Sequence, residues 1–283
     1  MKNEVIYMAK PTWYTEQVYP GHAKFYEKFV AQLKQYHEVR ALELPDIWVR
    51  DFLPVQNAQT GELYQPFFDP RYANYTPKFT AAIRAQVRGA FPHAKACDAR
   101  IDGGNIVLTP DKKQAFCLEK KTIFRPSDSA QKTYVEQELK RALGVQQIVW
   151  LPQQKGDKIG HIDGYIQFLG DVLIEGAASI WYGDIDPLLD SKSAHRIARS
   201  HPFTSVSLLC PVAGNDWLSA KGLYVNFLET SRAVFVPQFN LNQDDENARV
   251  IRNHTRKPVV RVDCAQIAEY GGAVHCLTRE YDE

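Results

Sequence analysis

No apolar run in the sequence approaches the length of a membrane span, and Met1 to Lys10 lack the apolar core of a secretory signal. Neither charge is in excess: 34 basic against 33 acidic residues leave a net charge of +1, so neither nucleic acid nor an anionic membrane is an expected partner. The five cysteines, Cys97, Cys117, Cys210, Cys264 and Cys276, are odd in number, scattered and without a C-x-x-C pair. That spacing argues against a disulfide framework or a structural zinc site and fits a reducing, cytoplasmic setting. The histidines form neither an H-x-x-x-H nor an H-E-x-x-H pair, so no metal is expected, and no motif asks for a cofactor. No low-complexity tract or Gly/Ser linker marks a boundary, and residues 1–283 read as a single catalytic domain. Oligomeric state is left open, a homo-oligomer included.

What the chain does have is a recurring order of elements. Apolar residues at helical spacing predict helices over 22–37 (Phe25, Phe29, Val30, Leu33), 77–91 (Phe79, Ile83, Val87) and 131–143 (Val135, Leu139), the last stopping at Gly144. Two more are predicted over 186–199 and 243–254, the latter opened by Asp244, Asp245 and Glu246. Between them lie pairs of runs that read as hairpins: 51–56 with 63–68, 105–108 with 114–118, 165–169 with 172–174, and 224–228 with 233–236. The run ending at Cys276 opens a fifth hairpin whose missing half is supplied by Val5-Ile-Tyr-Met-Ala9. Five helix–strand–hairpin units predict an α/β fold of pseudo-fivefold symmetry, a five-bladed α/β propeller whose chain ends meet, in place of a doubly wound sheet.

Polar residues recur in phase, at the start of each hairpin: Trp48-Val-Arg50-Asp51, Asp102-Gly-Gly-Asn105, His161-Ile-Asp163, Tyr224-Val-Asn226 and His275-Cys276. In His161-Ile-Asp163 the spacing of two is expected to put both side chains on one face of a strand. Ala273-Val-His275 is expected to be a brief strand delivering Cys276 at its tip. Each residue also has a purely structural reading: Asp51 as an ion pair with Arg50, Asp102 as turn chemistry, His161 as a satisfied strand-start histidine, Asn226 as a loop brace, Cys276 as a core thiol. Taken together they suit one chemistry. Paired carboxylates in a pocket need a cation, and a guanidinium offers the planar fork of N–H donors that carboxylates accept. Asp51 and Asp163 would hold its nitrogens and aim its central carbon at the Cys276 sulfur. His161 would protonate departing ammonia and then activate a water.

In this order the motifs Trp48-Val-Arg-Asp51-Phe-Leu-Pro54, Gly103-Gly-Asn105, Gly160-His-Ile-Asp-Gly164, Tyr224-Val-Asn-Phe with Pro237-Gln-Phe239, and Gly271-Gly-Ala-Val-His-Cys-Leu-Thr278 resemble the agmatine deiminase/bacterial-type peptidylarginine deiminase family of the guanidine-modifying (pentein) superfamily. The resemblance spans about residues 45–279. It implies the five-bladed pentein propeller and hydrolysis of a guanidinium to a ureido group plus ammonia through a cysteine-bound thiouronium. Carried over by motif, Cys276 is the nucleophile, His161 the acid/base, and Asp51 and Asp163 the guanidinium carboxylates, with Asp102, Asn226 and Trp48 as further substrate-binding candidates. The chain departs from typical agmatine deiminases in carrying Asp102 for a glutamate, Ser231 for an asparagine, and Thr278-Arg-Glu280 for Thr-Gln-Gln. Agmatine is the first substrate candidate. Peptidyl-arginine or free arginine, transfer to an amine by an amidinotransferase, and a guanidinium-binding protein without turnover remain as alternatives.

Overall fold

Strands that are buried along nearly their whole length organise the structure, as expected where both faces of a strand are covered. The computed structural model describes residues 3–70, 75–125, 127–153, 157, 159–177, 204–209 and 219–283. The helix predicted over 186–199, together with Cys210, lies outside these residues.

Among the described residues there are five three-stranded sheets built to one plan. In chain order, β1 (Glu4–Ala9) runs parallel to β2 (Glu38–Leu42), and β3 (Val55–Gln56) is antiparallel to β4 (Leu63–Pro66), which is parallel to β5 (Lys95–Cys97). The same order recurs in β6 (Val107–Leu108), β7 (Gln114–Glu119) and β8 (Gln147–Pro152), and in β9 (Ile166–Leu169), β10 (Val172–Ala177) and β11 (Thr204–Leu209). It recurs again in β12 (Leu228–Glu229), β13 (Val234–Gln238) and β14 (Val259–Asp263). The last strand, β15 (Arg279–Asp282), completes the first sheet by pairing antiparallel with β1, Val5 opposite Tyr281, so the two chain ends do supply the halves of one hairpin.

Parallel partners need a crossover, and helices provide it. α1 (Trp13–Val18) and α2 (His22–Leu33) lead from β1 to β2. α3 (Val49–Phe52) is a short turn of helix ahead of β3, α4 (Pro77–Ala90) joins β4 to β5, α5 (Ser129–Leu143) joins β7 to β8, and α6 (Asp244–Asn253) joins β13 to β14. Local chemistry sets their ends. Thr76 caps α4 ahead of Pro77, Asp128 accepts the Gln131 N–H at the start of α5, and Gly144 takes the left-handed conformation that stops it.

The chain divides into two compact units, residues 1–49 with 163–283 and residues 50–162. In the first, Phe29 and Leu33 of α2 are fully buried, and the Phe29 ring meets the edge of Phe235 from β13 at 5.9 Å. In the second, Val135, Leu139, Ala142 and Leu143 of α5 pack with Ile148 and Trp150 of β8. α2 and α5 thus each bury one apolar stripe, as their periodicity required.

The expected hairpins form, but their first strands are shorter than predicted. The residues of interest lie just ahead of them, in turns. Asp51 is in α3, Gly103–Asn105 and Ile162–Gly164 are turns of 3-10 helix, and the chain turns at Tyr224 and again through Val274–Leu277. Two expectations are therefore corrected. His161 and Asp163 do not share the face of a strand, because Gly160 (φ +71°) and the following turn interrupt it. Cys276 is not at the tip of a strand: Gly271 (φ +107°) reverses the chain, and the N–H groups of Ala273 and Cys276 are taken by a side chain, which leaves them unable to join a ladder.

Candidate active site

In the first unit the centre is Asn226, 2% exposed. Its Oδ1 accepts the backbone N–H of Ala273 (3.2 Å) and of Cys276 (3.3 Å), and its Nδ2 donates to Cys276 Sγ at 3.2 Å. The His275 N–H donates in turn to the Asn226 carbonyl at 3.2 Å. One amide thus shapes the turn and holds the sulfur. Asp163 approaches from the Ile162–Gly164 turn. Its Oδ2 lies 3.7 Å from Cys276 Sγ and 2.7 Å from His275 Nδ1. Asp163, His275 and Cys276 are all buried, so the carboxylate and the thiol face each other in a site of low dielectric.

Trp48 closes one side of this cluster. A side chain on Gly272 would collide with the Trp48 ring and would lie 2.9 Å from Cys276 Cβ, so glycine is what lets indole and thiol approach. The indole is braced by Tyr19, whose ring meets it edge-on at 5.7 Å, and Tyr19 donates to Asp46 Oδ1 at 2.9 Å. Asp46 is fully buried and accepts the Ile47 N–H at 2.6 Å, which sets the backbone leading into Trp48.

The second unit carries a separate polar cluster around His161. Nδ1 lies 3.5 Å from Asp51 Oδ1, and Nε2 lies 3.1 Å from Asp102 Oδ2. Lys120 Nζ is 3.3 Å from the same Asp102 oxygen. Asp51 Oδ1 also accepts the Gly104 N–H at 3.2 Å, and a Cβ on Gly104 would sit 2.6 Å from that oxygen and 2.7 Å from His161 Nδ1. The Gly103–Asn105 turn is held by Asn105, whose side chain donates to the Leu118 carbonyl (3.1 Å) and accepts the Leu118 N–H (2.8 Å). Burial by itself would depress the imidazole, but the carboxylates of Asp51 and Asp102 outweigh it and hold His161 above the ordinary histidine value. Burial would likewise raise Asp102, yet the Lys120 ammonium and His161 hold its carboxyl below the ordinary range. Both directions favour the imidazolium form of a ring set between carboxylates.

The remaining described cysteines have no such surroundings. Burial pushes the Cys97 thiol up to about 11 and lifts Cys117 and Cys264 above their ordinary value, which leaves them inert at neutral pH. Among the described residues no group of three or more His, Cys, Asp or Glu is placed to hold a metal ion.

Each predicted residue therefore falls in one of two clusters: Cys276, Asp163, Asn226 and Trp48 in the first unit, His161, Asp51 and Asp102 in the second. Asp102 meets the histidine and a lysine. Two participants were not anticipated. His275 stands beside the thiol among the in-phase polar residues, but in the sequence it looks like the last residue of a brief strand and carries no assigned role. Lys120 follows β7 in Leu-Glu-Lys-Lys and looks like the charged end of a strand.

The family profile that matches this chain is that of the Porphyromonas-type peptidyl-arginine deiminases, over residues 6–281. The chain belongs to that family. Two agmatine deiminases, from Pseudomonas fluorescens (strain SBW25) and Medicago truncatula, are 24% and 27% identical to it over 207 and 215 residues. Each match takes in 64% of this chain and 54% of the relative, so this member of the family matches about half the length of those enzymes. Among solved structures, the agmatine deiminase of C. jejuni superposes with a TM-score of 0.77 at 18% identity, covering all of this chain and 94% of that one. The agmatine deiminase of Enterococcus faecalis gives 0.71 at 17% identity, over all of this chain and 94% of that one. These likenesses carry the fold of this peptidyl-arginine deiminase family member, an α/β chain of several small sheets.

Proposed function

We propose that this protein is a cytoplasmic guanidine deiminase, with agmatine as its first candidate substrate and the five sheets as blades of one pentein-type catalytic domain. Each residue takes the role on a guanidinium substrate that its motif gives it. Asp51 and Asp163 accept its N–H groups, Asp102 keeps His161 in place, and Trp48 bounds the site beside the thiol. The single observation that carries this reading is the setting of Cys276. A carboxamide donates to its sulfur, and a carboxylate suited to a guanidinium nitrogen lies 3.7 Å away.

The steps balance without a co-reactant other than water. The Cys276 thiolate adds to the guanidinium carbon and forms a C–S bond. One C–N bond then breaks, and the departing nitrogen takes a proton from His161 and leaves as ammonia. The thiouronium that remains is attacked by water, one proton of which returns to His161; the C–S bond then breaks to release the ureido product and the thiolate, and the second proton leaves with the ammonia as ammonium. A carboxylate beside the sulfur disfavours the thiolate in the empty site, whereas a bound cation offsets that charge, so ionisation is coupled to substrate.

Ammonia release with agmatine, free arginine and a blocked arginine peptide tests both reaction and substrate class. The expected outcome is release from agmatine, abolished in Cys276→Ala together with haloacetamidine labelling, and stalled at or before the covalent adduct in His161→Ala. Silence with all three guanidines would sink the reading and leave a binding protein. A fully active His161→Ala would remove the imidazole from it.

A further inference from the structure

Lys120 meets the His161 segment from two sides. Its Nζ lies 3.3 Å from Asp102 Oδ2, the oxygen that is also 3.1 Å from His161 Nε2. Its stem passes the residue before the histidine: a Cβ on Gly160 would lie 3.1 Å from Lys120 Cδ, so the stem packs against the backbone that delivers the ring. The lysine is itself anchored, since its carbonyl accepts the N–H of Ile123 (2.9 Å) and of Phe124 (3.3 Å). Its side chain is only 10% exposed, and an ammonium taken that far from water is costly without a carboxylate to meet it. Here ammonium and imidazole share one oxygen, so they compete for it and repel each other when both are charged.

We infer that Lys120 is a positioning residue for His161, fixing the ring through Asp102 and limiting how tightly the ring keeps its proton. The use of this device rests on the proposed deimination: an imidazole that first gives a proton to ammonia and then takes one from water needs a basicity near the working pH. Among the described residues, the charged groups that face the ring include Asp51 from α3, Asp102 ahead of the Gly103–Asn105 turn, and Lys120 after β7. Two of them hold the proton on and Lys120 opposes them. Without it the imidazole is expected to be more basic, slow to give up its proton and slow to act as the base in the second half of the reaction.

The test is the titration of His161 by NMR in wild type, Lys120→Met and Lys120→Arg, alongside the pH profile of kcat for ammonia release. In Lys120→Met the His161 titration moves to higher pH, on the order of one unit. The kcat profile moves to alkaline pH with it, the neutral-pH rate falls severalfold, and KM changes less. Lys120→Arg restores both. If Lys120→Met does not fold, Lys120→Gln, neutral but still able to donate to Asp102, carries the same measurement. An unchanged or lowered His161 titration in the folded variant overturns the inference. Because the titration needs no turnover, an upward shift in a protein that releases no ammonia would overturn the deiminase reading alone and leave this one standing.

Discussion

Asn226 does two jobs that different substitutions separate. Asn226→Ala removes the oxygen that accepts the buried N–H groups of Ala273 and Cys276, at about 1–3 kcal/mol each. Urea unfolding should show a loss of about 2–6 kcal/mol. Asn226→Asp keeps the oxygen that accepts both N–H groups but removes the donor to Sγ and sets a second carboxylate beside the sulfur. It should retain much of that stability while the deiminase rate falls tenfold or more. Equal stability losses in the two variants would show that Asn226 does not brace the turn through those two bonds. His275 acts on a neighbouring group: its 2.7 Å contact fixes the Asp163 carboxylate and leaves less freedom for the oxygen nearest the thiol.

The turns ahead of the hairpins deserve the emphasis usually given to strands. A turn points its N–H groups inward and lets one side chain organise several of them, as Asn226 does for the Ala273–Cys276 segment and Asn105 does against Leu118. The Gly103–Asn105 turn is tight enough that a methyl group is expected to disrupt it. Gly104→Ala would place a Cβ 2.6 Å from Asp51 Oδ1 and 2.7 Å from His161 Nδ1, too close for either to stay. We expect kcat/KM to fall by on the order of a hundredfold or more, as when reacting groups are displaced by about an ångström, with far-UV circular dichroism unchanged. Wild-type kinetics in Gly104→Ala would mean that the Asp51–His161 contact is dispensable.

The first unit is held together by strands far apart in the chain. β15 pairs with β1 only three residues after Cys276, and Tyr281, 2% exposed, meets the Tyr7 ring edge-on at 5.2 Å. Deleting Arg279–Glu283 removes that strand and a buried aromatic side chain, whose apolar part alone contributes about 1.5–3 kcal/mol. The melting temperature should drop by several degrees and labelling of Cys276 should lose its selectivity over the other cysteines. A truncated chain with the parent's melting temperature would show that this pairing adds little.

Some of this was legible in the chain itself. Helical periodicity around Phe29, Ile83 and Leu139 and the apolar runs of β7 and β13 predicted which segments become helix and central strand, because periodicity and burial are local consequences of composition. The order of the motifs around Asp51, Asp102, His161, Asn226 and Cys276 pointed to the residues that gather in the two clusters. What spacing misjudged was the backbone that carries them. The alternation in His161-Ile-Asp163 looks like a strand, yet a left-handed Gly160 turns it, and the partners of the two side chains then differ. Lys120 carried no local signal at all, since a lysine at a strand end is ordinary solvated surface until a buried carboxylate and a glycine from distant segments meet it. Residue type and order determined which chemical groups are available and roughly where regular structure runs. Only tertiary structure decided which groups share a hydrogen bond, because an oxygen such as Asp102 Oδ2 has no preferred partner until folding removes water and brings one within reach.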